Sequence, residues 1–288
     1  MIQLFNEHIA ASIHPDGAEL RSLKHLTNGR QYLWSGDPAF WGKFSPVLFP
    51  IVGTVRDNRY THEGHEYVLG RHGFARERTF VVEQYSATEA RFTLVDDEAT
   101  WKVYPFAFRL HLTYRLYGPR LTLTYTVENP GEQDMWFCLG AHPAFAVPNA
   151  PLLKYDDYYL EFSEPETTGR WVLDGGLLKA EPTPFLEEKI RIPLSRDLFA
   201  RDAIVLKGLR SQTIVLATAS DPHGCCFSIE GWPHLGLWAA PGADFLCIEP
   251  WQGHADHVND HSELRRKEGV VHLETGRSWS KSWWVELF

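Results

Sequence analysis

The sequence predicts an all-β sandwich, and three observations carry that prediction. Apolar and polar residues alternate over many short runs, clusters of Gly, Pro, Asn and Asp separate those runs, and stretches with helical periodicity are few. Many short strands joined by turns build sandwiches or barrels rather than βαβ units.

The clearest strand comes first. Leu121, Leu123, Tyr125 and Val127 alternate with Thr122, Thr124, Thr126 and Glu128, so one face is apolar and the other polar. The run 108–117 precedes it across Gly118-Pro119-Arg120, which reads as a hairpin connection. Further strands are expected at 79–83, 90–95, 135–139, 204–206, 213–217, 226–230, 245–248 and 283–287. Asn129-Pro130-Gly131, Asp174-Gly175-Gly176, Asp221-Pro222-His223-Gly224 and Pro241-Gly242-Ala243 supply turns. Helical turns are expected at 37–41, at 195–199 and over 259–268, the last after a cap at Asn259 or Asp260. No repeat, low-complexity tract or linker interrupts the chain, so a single domain over residues 1–288 is expected.

Composition narrows the function. Charged residues make up 23% of 288 and the formal net charge is −9, which gives no electrostatic footprint for nucleic acid or for an anionic membrane. No apolar run of about 18 residues is present, and the first residues lack a positive segment followed by an apolar one. No signal peptide and a cytoplasmic location are therefore expected. Cys138, Cys225, Cys226 and Cys247 include no CxxC pair and read as free thiols. Eleven tryptophans offer aromatic faces, which serve cores as readily as they stack on sugar rings.

Three clusters bear chemistry. Arg71-His72-Gly73-Phe74-Ala75-Arg76 combines an imidazole and two guanidiniums with a glycine that lets the backbone approach a ligand. His142, in Gly140-Ala141-His142-Pro143, sits at the end of an apolar strand, held extended by the following proline. Imidazole there can give or take a proton near neutral pH. Glu249 ends the apolar run 245–248 and is followed by Pro250 and Trp251, so its charge must be paired or face a cleft. Each cluster taken alone also fits a structural role: a solvated turn, a satisfied core histidine, a salt bridge.

Together and in this order the clusters resemble the aldose 1-epimerase (galactose mutarotase) family, in its LacX-like branch. The resemblance extends over nearly the whole chain. It rests on GAEL at 17–20, YLWSGDPAFWG at 32–42, LFPIVG at 48–53, HGFAR at 72–76, AHPAF at 141–145 and CIEPW at 247–251. It implies a large galactose mutarotase-like supersandwich with an open cleft, and an isomerase that interconverts the α and β anomers of a free aldohexose.

The resemblance also implies roles for residues. His142 matches the general acid and Glu249 the general base. His72 is expected to hydrogen-bond the sugar near its ring oxygen, and Asp202 to bind substrate. Arg76 and Trp251 complete the expected binding set. The chain departs from the family where Thr54 follows Gly53, since relatives have an arginine there. Arg56 or Arg59 is expected to supply that cation. No cofactor or metal is expected; the partner is a monosaccharide, and the chain is expected to be a monomer or homodimer.

Two other functions stay open at this point. A hexose-6-phosphate 1-epimerase shares the fold and would use Arg56, Arg59, Arg71 and Arg76 for phosphate. A non-catalytic carbohydrate-binding protein would keep the cleft without turnover. His254, Asp256, His257 and His261 crowd one polar stretch, read as a loop rather than a metal site. No glycine-rich nucleotide loop is present.

Overall fold

The protein's structure, a computed structural model, describes residues 1–260 and 263–288. Alternation dictates the largest feature. Arg120–Glu128 buries Leu121, Leu123, Tyr125 and Val127 and turns its threonines outward. It pairs antiparallel with Arg109–Tyr117 through the Gly118-Pro119 turn, and on its other side with Ser278–Leu287. From there the ladder runs through Asp221–Ser228 and Thr213–Thr218 to Tyr158–Asp174. At the far edge lie Glu89–Val95 and Val81–Gln84.

Tyr158–Asp174 joins the two halves of the sandwich. Its first residues pair with Thr213–Thr218, whereas Trp171 and Val172 pair with Ile204–Lys207. The ladder then continues through His234–Trp238, Phe245–Gln252 and Leu139–Ala141 to Val47–Leu48. Among the described residues sixteen strands are connected in this way. Strand twist over so many strands curls the sheet on itself, and the enclosed face is filled by aromatic side chains. Trp283 is fully buried and stacks on Phe227 with centroids 5.0 Å apart.

The departures from expectation have local causes. The strand at 135–139 splits: Met135–Phe137 pairs with Val271–Leu273, while Leu139–Ala141 enters the large sheet. The Asp221-Pro222-His223-Gly224 turn is instead the start of a strand, because Asp221 pairs with Thr218. The chain therefore reverses at 219–220. The Asp221 carboxylate there is occupied by both guanidinium nitrogens of Arg30, at 2.8 Å each. Pro222 is tolerated as an early strand residue. Of the helical turns, 195–199 forms a single 3-10 turn at Arg196–Phe199. At 37–41 only one hydrogen-bonded turn closes on Asp37. Of 259–268, residues 261 and 262 lie outside the described residues, and a 3-10 turn is confined to Leu264–Arg266. A short α-helix at Glu98–Trp101, unforeseen, is set by the Asp97–Thr100 capping box. The N-terminal sheet of Ile2–Phe5, Ile9–His14 and Glu19–His25 was likewise not foreseen. No described helix is long and apolar enough to cross a membrane.

Truncating the most enclosed ring tests this core. Trp283→Ala should cost about 3–5 kcal/mol of unfolding free energy, as expected for a large aromatic removed without collapse of its site. Urea denaturation monitored by circular dichroism measures it. An unchanged midpoint would mean that Trp283 is not the packing centre described.

Candidate active site

The strand Phe245–Gln252 is buried along almost its whole length. It carries Glu249 opposite Gly236 and Trp251 opposite His234 and Gly140. Neither glycine can be replaced freely. A Cβ at Gly236 would lie 2.4 Å from the Trp251 ring, and one at Gly140 would lie 2.6 Å from it. Trp251 therefore lies flat against two bare stretches of backbone. One neighbouring ladder breaks at His142-Pro143: Gly140 pairs with Trp251, Ala144 pairs with Cys247, and His142 leaves the sheet between them. This places His142 Nε2 3.2 Å from Glu249 Oε2.

A third element closes on this pair. His72 has φ 68° and Gly73 φ 70°, a left-handed pair that folds the segment back on Phe49. A Cβ at Gly73 would meet the Phe49 carbonyl oxygen at 2.2 Å, so only glycine fits there. The Gly53 N–H donates to His72 Nδ1 at 3.0 Å. That bond fixes the tautomer: Nδ1 accepts, so Nε2 carries the proton and is a donor. The His72 and His142 rings meet edge to face with centroids 5.8 Å apart. Trp41 stacks on His142 at 5.0 Å, and Trp238 meets it edge-on at 5.8 Å.

These residues line a cavity of about 210 Å³ together with Arg71, Arg76, Asp202, Leu173, Gly176, Val205 and Ala255. Trp41, Trp238 and Trp251 give it three aromatic walls. Arg71 Nη2 lies 3.9 Å from Asp202 Oδ1 at a more exposed position. Arg76 donates to the Arg71 carbonyl at 3.0 Å. Among the described residues His142 Nδ1, Glu249 Oε2, Trp251 Nε1 and Arg76 Nε are buried without a hydrogen-bond partner. The 3.2 Å approach of His142 to Glu249 lacks hydrogen-bond alignment, which is why the carboxylate oxygen counts among them. Native interiors rarely leave such groups unpaired, so their convergence marks a place for a polar ligand.

Burial governs the electrostatics. It pushes the His142 imidazole down from 6.5 to about 3, and the His72 imidazole well below its usual value, where the neighbouring His142 and Arg71 add to the effect. Burial raises Glu249 well above the usual carboxyl range, and the Arg71 charge opposes that rise. Burial thus opposes charge on both members of the pair, favouring neutral imidazole on His142 and the protonated carboxyl on Glu249.

Six of the expected site residues meet at this cavity: His72, Arg76, His142, Asp202, Glu249 and Trp251. Arg56 does not. The 3-10 turn at Arg56–Asn58 has positive φ at Asp57 and Asn58 and turns the Arg56 side chain toward solvent, while its backbone N–H donates to Asp256. Arg59 pairs with Glu66 across a hairpin away from the cavity. The cation that lines the cavity beside Arg76 is Arg71. Arg71 was expected only in the cluster 71–76 and as a phosphate-binding cation, and Trp41 and Trp238 were missing from the expected set. Trp41 stands inside a motif already singled out, whereas Trp238 lies in a strand, His234–Trp238, that no sequence pattern marked.

The chain matches the aldose 1-epimerase family model over residues 1–272. It belongs to the aldose 1-epimerase family. It is 32% identical over 280 residues to the protein LacX encoded on a plasmid of Lactococcus lactis subsp. lactis, covering 94% of this chain and 93% of that one. Among solved structures it is similar to a galactose mutarotase related enzyme from Lactobacillus acidophilus, with a TM-score of 0.94, 32% identity and coverage of 100% and 97%. A galactose mutarotase-like protein from Lactobacillus casei has a TM-score of 0.91 at 30% identity, with both chains fully covered. The fold is thus the galactose mutarotase-like supersandwich, and the family points to a sugar isomerase.

The buried imidazoles make stability depend on pH. A histidine whose value is depressed in the folded state supports folding while neutral. That support is complete above the unfolded value of 6.5 and is lost as pH falls below it. Glu249, whose value is raised, acts in the opposite sense, so His72 gives the cleaner test. Urea midpoints should fall as pH is lowered from 6.5. His72→Asn, which keeps a residue tolerant of positive φ, should flatten that dependence. An unchanged slope in the variant would show that His72 ionises freely.

Proposed function

We propose that this family member is a mutarotase, interconverting the α and β anomers of a free aldohexose. One observation carries the reading: a buried imidazole and a buried carboxyl group lie side by side, 3.2 Å apart, in the wall of a small cavity. In a cyclic aldose the anomeric hydroxyl and the ring oxygen are both attached to C1. An acid and a base serving those two oxygens must be near neighbours. Glycoside hydrolysis has another geometry, usually two carboxyl groups about 5–9.5 Å apart across a scissile bond.

In the proposed reaction the bound sugar's hydroxyls offset the burial that opposes charge on the pair, the proton moves from Glu249 to His142, and Glu249 then takes the proton of the C1 hydroxyl. The C1–O5 bond breaks, its electron pair stays on O5, and His142 protonates that oxygen. The open aldehyde rotates about C1–C2. In closure His142 takes the proton back as O5 attacks C1, and Glu249 returns its proton to the carbonyl oxygen. No group is left on the protein and no electrons are exchanged with it. His72 Nε2–H, fixed as a donor by the Gly53 bond, stabilises charge on the ring oxygen as it opens. Arg71, Arg76 and Asp202 hold hydroxyls of the sugar, and the three indoles cover the apolar face of the ring.

Polarimetry on fresh α-D-glucose and α-D-galactose tests the reading, beside magnetization exchange on glucose 6-phosphate. The free sugars should relax faster with the protein present. Glu249→Gln and His142→Asn should each lower the rate about 10²–10⁴-fold, the usual yield of a proton-transfer group, while keeping the urea midpoint. Acceleration confined to the phosphorylated sugar would replace the reading with a hexose-6-phosphate 1-epimerase. Binding without acceleration of any of the three would replace it with a carbohydrate-binding role.

A further inference from the structure

A second histidine cluster stands outside the cavity, with His234 at the start of His234–Trp238 and His254 two residues past the end of Phe245–Gln252. His234 faces Trp251 in the ladder, two residues before Gly236, which faces Glu249. His234 is 7% exposed and His254 fully buried, and their rings lie 4.7 Å apart, edge to face. Ring nitrogens of both, with a carboxylate oxygen of Glu268, lie within 4.8 Å of one another. None of the three lines the catalytic cavity.

The hydrogen bonds around this cluster orient lone pairs into it. His254 Nδ1 lies 2.7 Å from the Ala255 carbonyl oxygen, and His257 Nδ1 lies 3.0 Å from that of Lys179. A carbonyl can only accept, so both Nδ1 atoms donate, and in the neutral rings both Nε2 atoms carry lone pairs. Each Nε2 is 3.2 Å from the same oxygen, Glu268 Oε2. Lone pairs therefore face a carboxylate from two sides. Among the described residues His234 Nδ1 and His254 Nε2 are also buried without a hydrogen-bond partner. Such an arrangement calls for a positive charge at its centre. The nearest one present is Lys207, whose Nζ lies 2.8 Å from Glu268 Oε1 and 3.4 Å from His257 Nε2.

We propose that His234, His254 and Glu268 form a binding site for a divalent transition metal, best matched by Zn²⁺, in which the metal competes with Lys207 for the carboxylate. Two imidazoles and a carboxylate are a familiar zinc set, and the fourth position is left for His257 or solvent. The 3.2 Å separation of His254 Nε2 from Glu268 Oε2 is close to the ~3.3 Å ligand–ligand edge of a tetrahedron with bonds near 2 Å. The Nδ1–H bonds to backbone carbonyls are the usual outer support of metal-bound histidine. Asp256, adjacent in sequence, is not part of the set, because Lys267 and the Arg56 N–H occupy its two oxygens. His261 lies outside the described residues.

The test uses untagged, chelator-stripped full-length protein, equilibrium dialysis against Zn²⁺ with elemental analysis, and the visible absorption of Co²⁺. One metal per chain and a tetrahedral Co²⁺ spectrum are expected. Glu268→Gln, a change at an exposed side chain, and His234→Gln should each weaken binding by about tenfold or more. Lys207→Gln should tighten it, and Glu249→Gln should leave it unchanged. No stoichiometric binding by the wild type would overturn the proposal. So would affinity unaltered in both Glu268→Gln and His234→Gln, or binding lost in Glu249→Gln, which would put the metal at the catalytic pair.

Discussion

Glu249 is 1% exposed in a strand that is otherwise apolar, and the site is built around the cost of keeping a carboxyl group there. An isolated buried carboxylate would be too expensive, so it must hold a proton, meet an opposite charge or face a polar neighbour. All three responses are present. Burial raises its proton affinity, Arg71 pulls the other way, and His142 stands beside it. The sheet has to break at His142-Pro143 for that neighbour to arrive, and Gly236 and Gly140 have to be bare for Trp251 to lie against the backbone.

The same constraint explains the aromatic surroundings. Trp41 and Trp238 hold the His142 ring from two sides, which limits its rotation and shields it from water. Shielding lowers the charge an imidazole can carry at rest, and it strengthens every dipole that acts on a sugar once bound. His72 completes the set as a neutral donor whose tautomer is fixed by a backbone N–H rather than by solvent.

Much of this was legible in the sequence, and the rest was not for physical reasons. Arg120–Glu128 could be read residue by residue, because one face is buried and the other wet, and its hairpin turn was read correctly with it. The N-terminal strands were harder, since Ala10, Ala11 and Ser12 between the isoleucines of Ile9–His14 give little contrast between its two faces. Asp221-Pro222-His223-Gly224 looked like a turn because turn residues were weighed by type. The ion pair with Arg30, 191 positions away, lies beyond any local pattern. At the site, the motifs around His72, His142 and Glu249 identified residues that the fold brings together. Arg56 was misplaced because a cation three residues past Gly53 can be matched by position, whereas its direction depends on the left-handed turn at Asp57 and Asn58. Trp238 could not be foreseen: whether a strand tryptophan fills a core or lines a cavity depends on the strand beside it.

The pairing of His142 with Glu249 also bears on what kind of reaction the site suits. Burial acts on the two groups in opposite senses, lowering one and raising the other, and so opposes charge on both until a polar ligand offsets it. A pair in which either member can hold the proton is matched to a reaction whose two directions are mirror images. Ring opening and ring closure of an aldose have that character, because donor and acceptor exchange roles in each half of the cycle. Imidazole beside carboxyl suits that exchange of roles, and one interrupted strand sets the pair in place.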